Sequence, residues 1–178
     1  GIYVAQLLGE NNKQIGSPVQ QTFHINKATG KSISLNIAPD KSYAVGGALT
    51  LVDGIQNEKG MSKSSQFLGF WGNDCIAILD MGKIEKIDSV YFHAFIQNAS
   101  WIYPPSKVIL YISEDGINFK EWQKTESFEG QSNIIYKFTQ PTATRYLKII
   151  AKNYGEIPAG NPGYGNKAWL FADEIEVF

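Results

Sequence analysis

The residues able to do chemistry in this chain begin with its carboxylates. Asp173 and Glu174 stand side by side in the closing run WLFADEIEVF, from Trp169 to Phe178. Two carboxyl groups facing each other across a cleft can hydrolyse a glycosidic bond. Neighbours in a regular strand leave on opposite faces, however, so this pair is predicted to diverge. Glu85, Asp88, Glu114, Asp115, Glu121 and Glu126 fall in turns or beside lysines and read as solvated surface. His24 and His93 are the only histidines. His93, in VYFHAFIQN, is either a satisfied strand histidine or a polar contact at the rim of a ligand site. Cys75 has no histidine near it in sequence, and its apolar run CIAILDMG suits a small buried hydrophobe. No nucleophile elbow, zinc spacing or phosphate loop is present. The chain reads as no enzyme on its own.

A second chemistry is open to the aromatic residues. Sugars are held by aromatic faces against the apolar side of the ring, with polar groups orienting the hydroxyls. Trp71, Trp101, Tyr103, Tyr154 and Tyr164 fall in loop-like sequence. QNASWIYPP stiffens into two prolines and suits the presentation of Trp101. NYGEIPAGNPGYGNKAW is a long Gly-Pro loop, of the kind that often carries function, and it holds Tyr164. Trp169 is either packing beneath that loop or a partly exposed platform, and Trp122 reads as sheet packing.

These loops need a scaffold, and the apolar segments supply one. SVYFHAFIQN, KVILYISEDG, NIIYKFTQP and TRYLKIIAKN are short, rich in β-branched and aromatic residues, and bounded by turn signals. In the last, Leu147, Ile149 and Ala151 share one face and Tyr146 and Lys148 the other, the period of a half-buried strand. SEDGINF offers an Asp-Gly hairpin with Phe119 returning to the core. GALTLVDGI makes at most a short helical turn. The pattern predicts an all-β sandwich spanning residues 36–178. IYVAQLL and VQQTFHI, joined by a polar turn, predict a separate hairpin within residues 1–35.

Composition fits: 43% hydrophobic and 13% aromatic residues can fill a core, and a net charge of −1 offers no footprint for nucleic acid. Arg145 is the only arginine, and a structural pair with an acid is expected for it. No apolar run approaches the ~18 residues of a membrane span.

LTLVDGI, AILDMGK, WIYPPSKVILYISEDGINF, TRYLKIIAKN and KAWLFADEIEVF, in that order, resemble the discoidin-like domain, also called the coagulation-factor C-type or family-32 carbohydrate-binding fold. The chain is most similar to the C-terminal module of family-20 β-N-acetylhexosaminidases of the chitobiase type. Residues 1–35 resemble the end of the small β domain that precedes it. The resemblance implies a galactose-binding-domain-like jelly roll of roughly eight core strands with a ligand site in loops at one end. It implies a non-catalytic accessory module for a glycan containing N-acetylhexosamine or galactose, packed beside a catalytic domain; a purely structural module is the alternative. Trp101, Tyr103, Tyr164, Trp169 and His93 are the expected ligand contacts. A structural Ca²⁺ held by Asp53 and Glu174 is implied too, as is a periplasmic, cell-surface or secreted location. The segment after Asp53 departs from the common pattern in length and lacks its second acid–hydroxyl pairing.

Overall fold

The computed structural model describes residues 1–178. Alternating apolar residues build two five-stranded sheets that bury their inner faces against each other. One sheet runs, in spatial order, β3 (Ser32–Leu35), β5 (Cys75–Ile87), β11 (Thr142–Lys152), β7 (Lys107–Ser113) and β8 (Lys120–Thr125). The other runs β4 (Leu68–Trp71), β12 (Trp169–Val177), β6 (Val90–Phe95), β10 (Asn133–Phe138) and β9 (Glu129–Gly130). All these pairings are antiparallel. The expected jelly-roll sandwich is therefore present, and Leu147, Ile149 and Ala151 face its core as their alternation requires. No helix is long and apolar enough to cross a membrane.

The hairpin of β1 (Ile2–Leu8) and β2 (Gln14–Thr22) stands apart as a two-stranded sheet. It ends earlier than residue 35. Ser32–Leu35, grouped with it in the sequence reading, pair instead with β5, and Ala28 is in the main core. The chain is clasped where it enters the sandwich: Lys27 N–H donates to the Val177 carbonyl (2.9 Å), and Val177 N–H donates to Asn26 Oδ1 (3.1 Å).

β5 continues past Gly82, whose positive φ of 84° lets the strand kink. One further expectation is corrected. Phe119 does not return to the core. It lies half-buried on the outer face of its sheet, where Lys148 Nζ stands 5.7 Å from its ring. Arg145 makes the anticipated pair, two parallel 2.9 Å bonds to Asp80. Residues 47–52 form a 3₁₀ turn that sends Leu51 and Val52 into the core, and residues 53–67 then cover the outer face of β12 and β6. Phe67, Phe95, Ile102 and Phe171 make a second small core under that cover.

Candidate functional site

Two loops meet at the end of the sandwich where β12 begins. The β6–β7 loop is tied to β12: Trp169 N–H donates to the Trp101 carbonyl (2.9 Å), and Tyr103 N–H donates to the Trp169 carbonyl (3.1 Å). The β11–β12 loop is fixed by Asn153, whose Nδ2 donates to the carbonyls of Ala168 (3.1 Å) and Asn73 (3.2 Å). Its Oδ1 accepts from Gly155 N–H at 2.9 Å. Tyr103 bridges the loops, its hydroxyl donating to the Pro162 carbonyl at 2.9 Å.

Trp101 is held in a left-handed conformation (φ 62°, ψ 20°), which costs a non-glycine residue about 1–2 kcal/mol. The surrounding contacts sustain it. Trp71 neighbours the indole at 6.1 Å between ring centroids, and Gly163 of the other loop lies against its five-membered ring. Trp101 remains 37% exposed, and Tyr164, the next residue after Gly163, is 65% exposed. The loops thus leave aromatic side chains accessible on both sides, Trp101 on one and Tyr164 on the other, with the residue before Tyr164 packed on the Trp101 indole. Tyr154 stacks on Tyr103 at 4.9 Å and is 37% exposed.

The remaining expected contacts stand elsewhere. Tyr103 is buried under Tyr154 and the Pro162 carbonyl and presents no face to solvent. Trp169 is half-buried, wedged between Trp71 (4.9 Å), Tyr43 (5.3 Å) and Phe171 (5.7 Å). His93 is also buried, under the 56–58 segment, with Nε2 2.8 Å from Glu176 Oε2. It lies outside the aromatic cluster and is not at the rim of the loops. Trp71 and Tyr43 support the aromatic end. Tyr43 gave no sequence signal, because it arrives from a turn more than a hundred residues before β12.

The paired acids behave differently from the regular-strand prediction. A β-bulge between Ala172 and Glu174 inserts one extra residue, so Ala172 and Ile175 both face the core while Asp173 and Glu174 both turn to the covering segment. Asp173 Oδ2 accepts from Asn57 N–H at 2.7 Å, and Glu174 Oε2 accepts from Gly54 N–H at 3.1 Å. Both side chains are buried, so neither reaches a substrate. Burial, reinforced by the charge of Asp53, pushes the Glu174 carboxyl up to about 10. Burial also pushes Asp53 up to about 6, opposed by its bond from Ile55 N–H (2.8 Å). Glu174 Oε1 is buried with no hydrogen-bond partner. An orphaned carboxylate oxygen beside a second acid fits a hard cation that takes oxygen ligands. Asp53 and Glu174 would hold it, and it would supply the positive charge that the buried Glu174 and the half-buried Asp53 lack. With no group of three or more side-chain ligands here, main-chain carbonyls or water would complete its shell.

Residues 42–168 match the family described as F5/8 type C domain. The chain belongs to this family. No curated protein sequence matches it. Solved structures of similar fold include the lectin domain of Lectinolysin complexed with Lewis B antigen, at 19% identity and a TM-score of 0.58, covering 88% of this chain and 98% of that one. Chitosan-binding module 1 from a chitosanase/glucanase of Paenibacillus sp. IK-5 gives 15% identity and 0.56, covering 87% and 99%. The Clostridium perfringens CBM32-5 module in complex with GalNAc-β-1,3-galactose gives 16% and 0.56, covering 83% and 94%. This F5/8 type C domain therefore has the fold of carbohydrate-binding modules.

Proposed function

We propose that this F5/8 type C domain is a non-catalytic carbohydrate-binding module, the C-terminal accessory module of a chitobiase-like β-N-acetylhexosaminidase. It takes a glycan containing N-acetylhexosamine or galactose, weakly, across Trp101 and Tyr164. The observation that carries this reading is the pairing of those two exposed aromatics on adjacent loops, one held in a strained backbone. An exposed flat ring matches the apolar face of a pyranose, and a second exposed ring on the adjoining loop offers a further contact. The three sugar- or chitosan-binding structures of like fold support it.

Further parts belong to the same proposal. A structural Ca²⁺ sits between Asp53 and Glu174, supported by the orphaned Glu174 oxygen. The hairpin belongs with a neighbouring β domain beside the parent's catalytic domain. It is supported by Ile2, Tyr3, Val4 and Leu7, each more than 60% exposed on a two-stranded sheet that pairs with no strand of the sandwich. The parent works in the periplasm, on the cell surface or outside the cell, where polymeric glycans are met.

A second reading, a structural module without ligand, is favoured by one observation: Gly163 and Trp71 already occupy part of the Trp101 ring surface. A glycan array with the chain and its Trp101→Ala and Tyr164→Ala variants separates the two. Binding lost in both variants is expected. Binding untouched by either rejects this site, and no binding by the parent chain favours the structural module.

A further inference from the structure

Away from the aromatic loops, a groove of about 550 Å³ runs between β2 and the covering segment. One wall is the unbroken stretch Pro18–Thr22, and the other is formed by Gln56, Glu58, Lys59, Lys63 and Gln66. A strand that lined a groove with its face would contribute every second residue. Five in succession mean that β2 presents its backbone edge.

The register identifies which backbone groups are offered. Gly1 and Phe23 exchange both hydrogen bonds, Phe23 N–H to the Gly1 carbonyl at 2.7 Å and the Gly1 amine to the Phe23 carbonyl at 2.6 Å. Counting along the ladder, Tyr3–Gln21 and Ala5–Val19 are the bonded pairs, whereas Ile2–Thr22 and Val4–Gln20 are not. Gln20 and Thr22 therefore turn their N–H and C=O groups outward. The next outward donor, His24 N–H, already bonds the Gly54 carbonyl at 2.7 Å, where the covering segment meets the same edge. Beyond that rung the backbones of the two walls part, bridged only by a long side-chain contact in which Gln66 Nε2 donates to Gln21 Oε1 at 3.5 Å, and the groove opens over the backbone of Thr22 and Gln20. Only the Thr22 carbonyl is taken, by Gln21 Nε2 at 2.9 Å.

We propose that this groove binds an extended, acidic peptide segment of a partner protein, added as a third strand to the free edge of β2. Alternating N–H and C=O groups at strand spacing match another strand's backbone. Lys59 and Lys63 carry no ion pair within the chain, and with one acid, Glu58, on the wall the balance favours acidic side chains on the incoming strand. The lining offers no tryptophan, tyrosine or phenylalanine ring, so a saccharide lacks the platform proposed for it at the other site.

The test uses the full chain labelled with ¹⁵N and the peptide acetyl-Thr-Glu-Val-Thr-Glu-Val-amide. In the free chain the Gln20 and Thr22 amides exchange freely, and millimolar peptide slows both by about tenfold or more. Gln20→Pro removes an outward donor at an edge position where proline is tolerated. It weakens peptide binding by about tenfold, while the Tyr3–Gln21 cross-strand contact persists. The double change Lys59→Glu with Lys63→Glu, on exposed positions that leave folding intact, weakens binding likewise. No protection at millimolar peptide overturns the proposal. So does binding unchanged in both variants, or protection of the same amides by chitotetraose in place of the peptide.

Discussion

Gly163 lies against the indole of Trp101 so closely that a β-carbon added at Gly163 would stand 2.6 Å from Trp101 Cδ1. Its φ of 85° is also one that residues with a β-carbon rarely adopt. Gly163→Ala is therefore expected to displace Trp101 and to cost about 1–2 kcal/mol. Denaturant melts measure the cost, and loss of glycan retention on an affinity column measures the displacement. Unchanged retention would show that the Trp101 position does not matter for binding.

Tyr164 and Trp169, five residues apart, should respond in opposite ways. Tyr164→Ala removes an exposed ring and should leave stability within about 0.5 kcal/mol while glycan binding falls. Trp169→Ala empties the space between Trp71, Tyr43 and Phe171 and should cost about 3 kcal/mol. Comparing melting with binding for the two variants separates platform from wedge.

Asp80 is held down to about 2 by its hydrogen bonds from the Arg145 guanidinium. An unfolded aspartate titrates near 3.9, so the pair contributes fully above that pH, and its contribution is lost as pH falls toward 2. Both side chains are partly exposed, and Asp80→Asn should cost only about 1 kcal/mol at neutral pH. The difference between parent and variant should vanish near pH 2 in urea titrations.

Glu174 carries the reverse sign. With its carboxyl raised to about 10, the folded chain keeps a proton there that an unfolded glutamate releases near 4.3. This stabilisation is complete below that pH and declines as pH climbs toward 10. In EDTA, Glu174→Gln should therefore raise the neutral-pH stability by about 1–2 kcal/mol. Added Ca²⁺ should raise the melting temperature of the parent chain and leave the variant unmoved. Calorimetry with Ca²⁺ checks this directly, and equal responses would remove Glu174 from the cation site.

Strand identity was legible wherever one face is buried, as at Leu147, Ile149 and Ala151, because alternation records burial directly. The β12 bulge was not. Adding one residue at Asp173 leaves the surrounding apolar residues intact but reverses which of them share a side. Phe119 and Ser32–Leu35 were misplaced for a related reason: a lone aromatic or a four-residue edge strand has too short a pattern to fix its partner. At the site, the loops around Trp101 and Tyr164 could be read from their Gly and Pro content. The burial of Tyr103 and His93 could not, since Pro162 and Glu176 lie far from them in sequence.

The clasp between Asn26, Lys27 and Val177 sets a polarity for the whole domain. The polypeptide enters the sandwich at one pole, and its final strand returns to that same pole. Trp101 and Tyr164 crown the other, about 25–30 Å away along the nine residues of β12. A substitution at the clasped pole therefore acts on Trp101 and Tyr164 through the full length of β12 and not by contact, so the two ends of the domain can be altered independently.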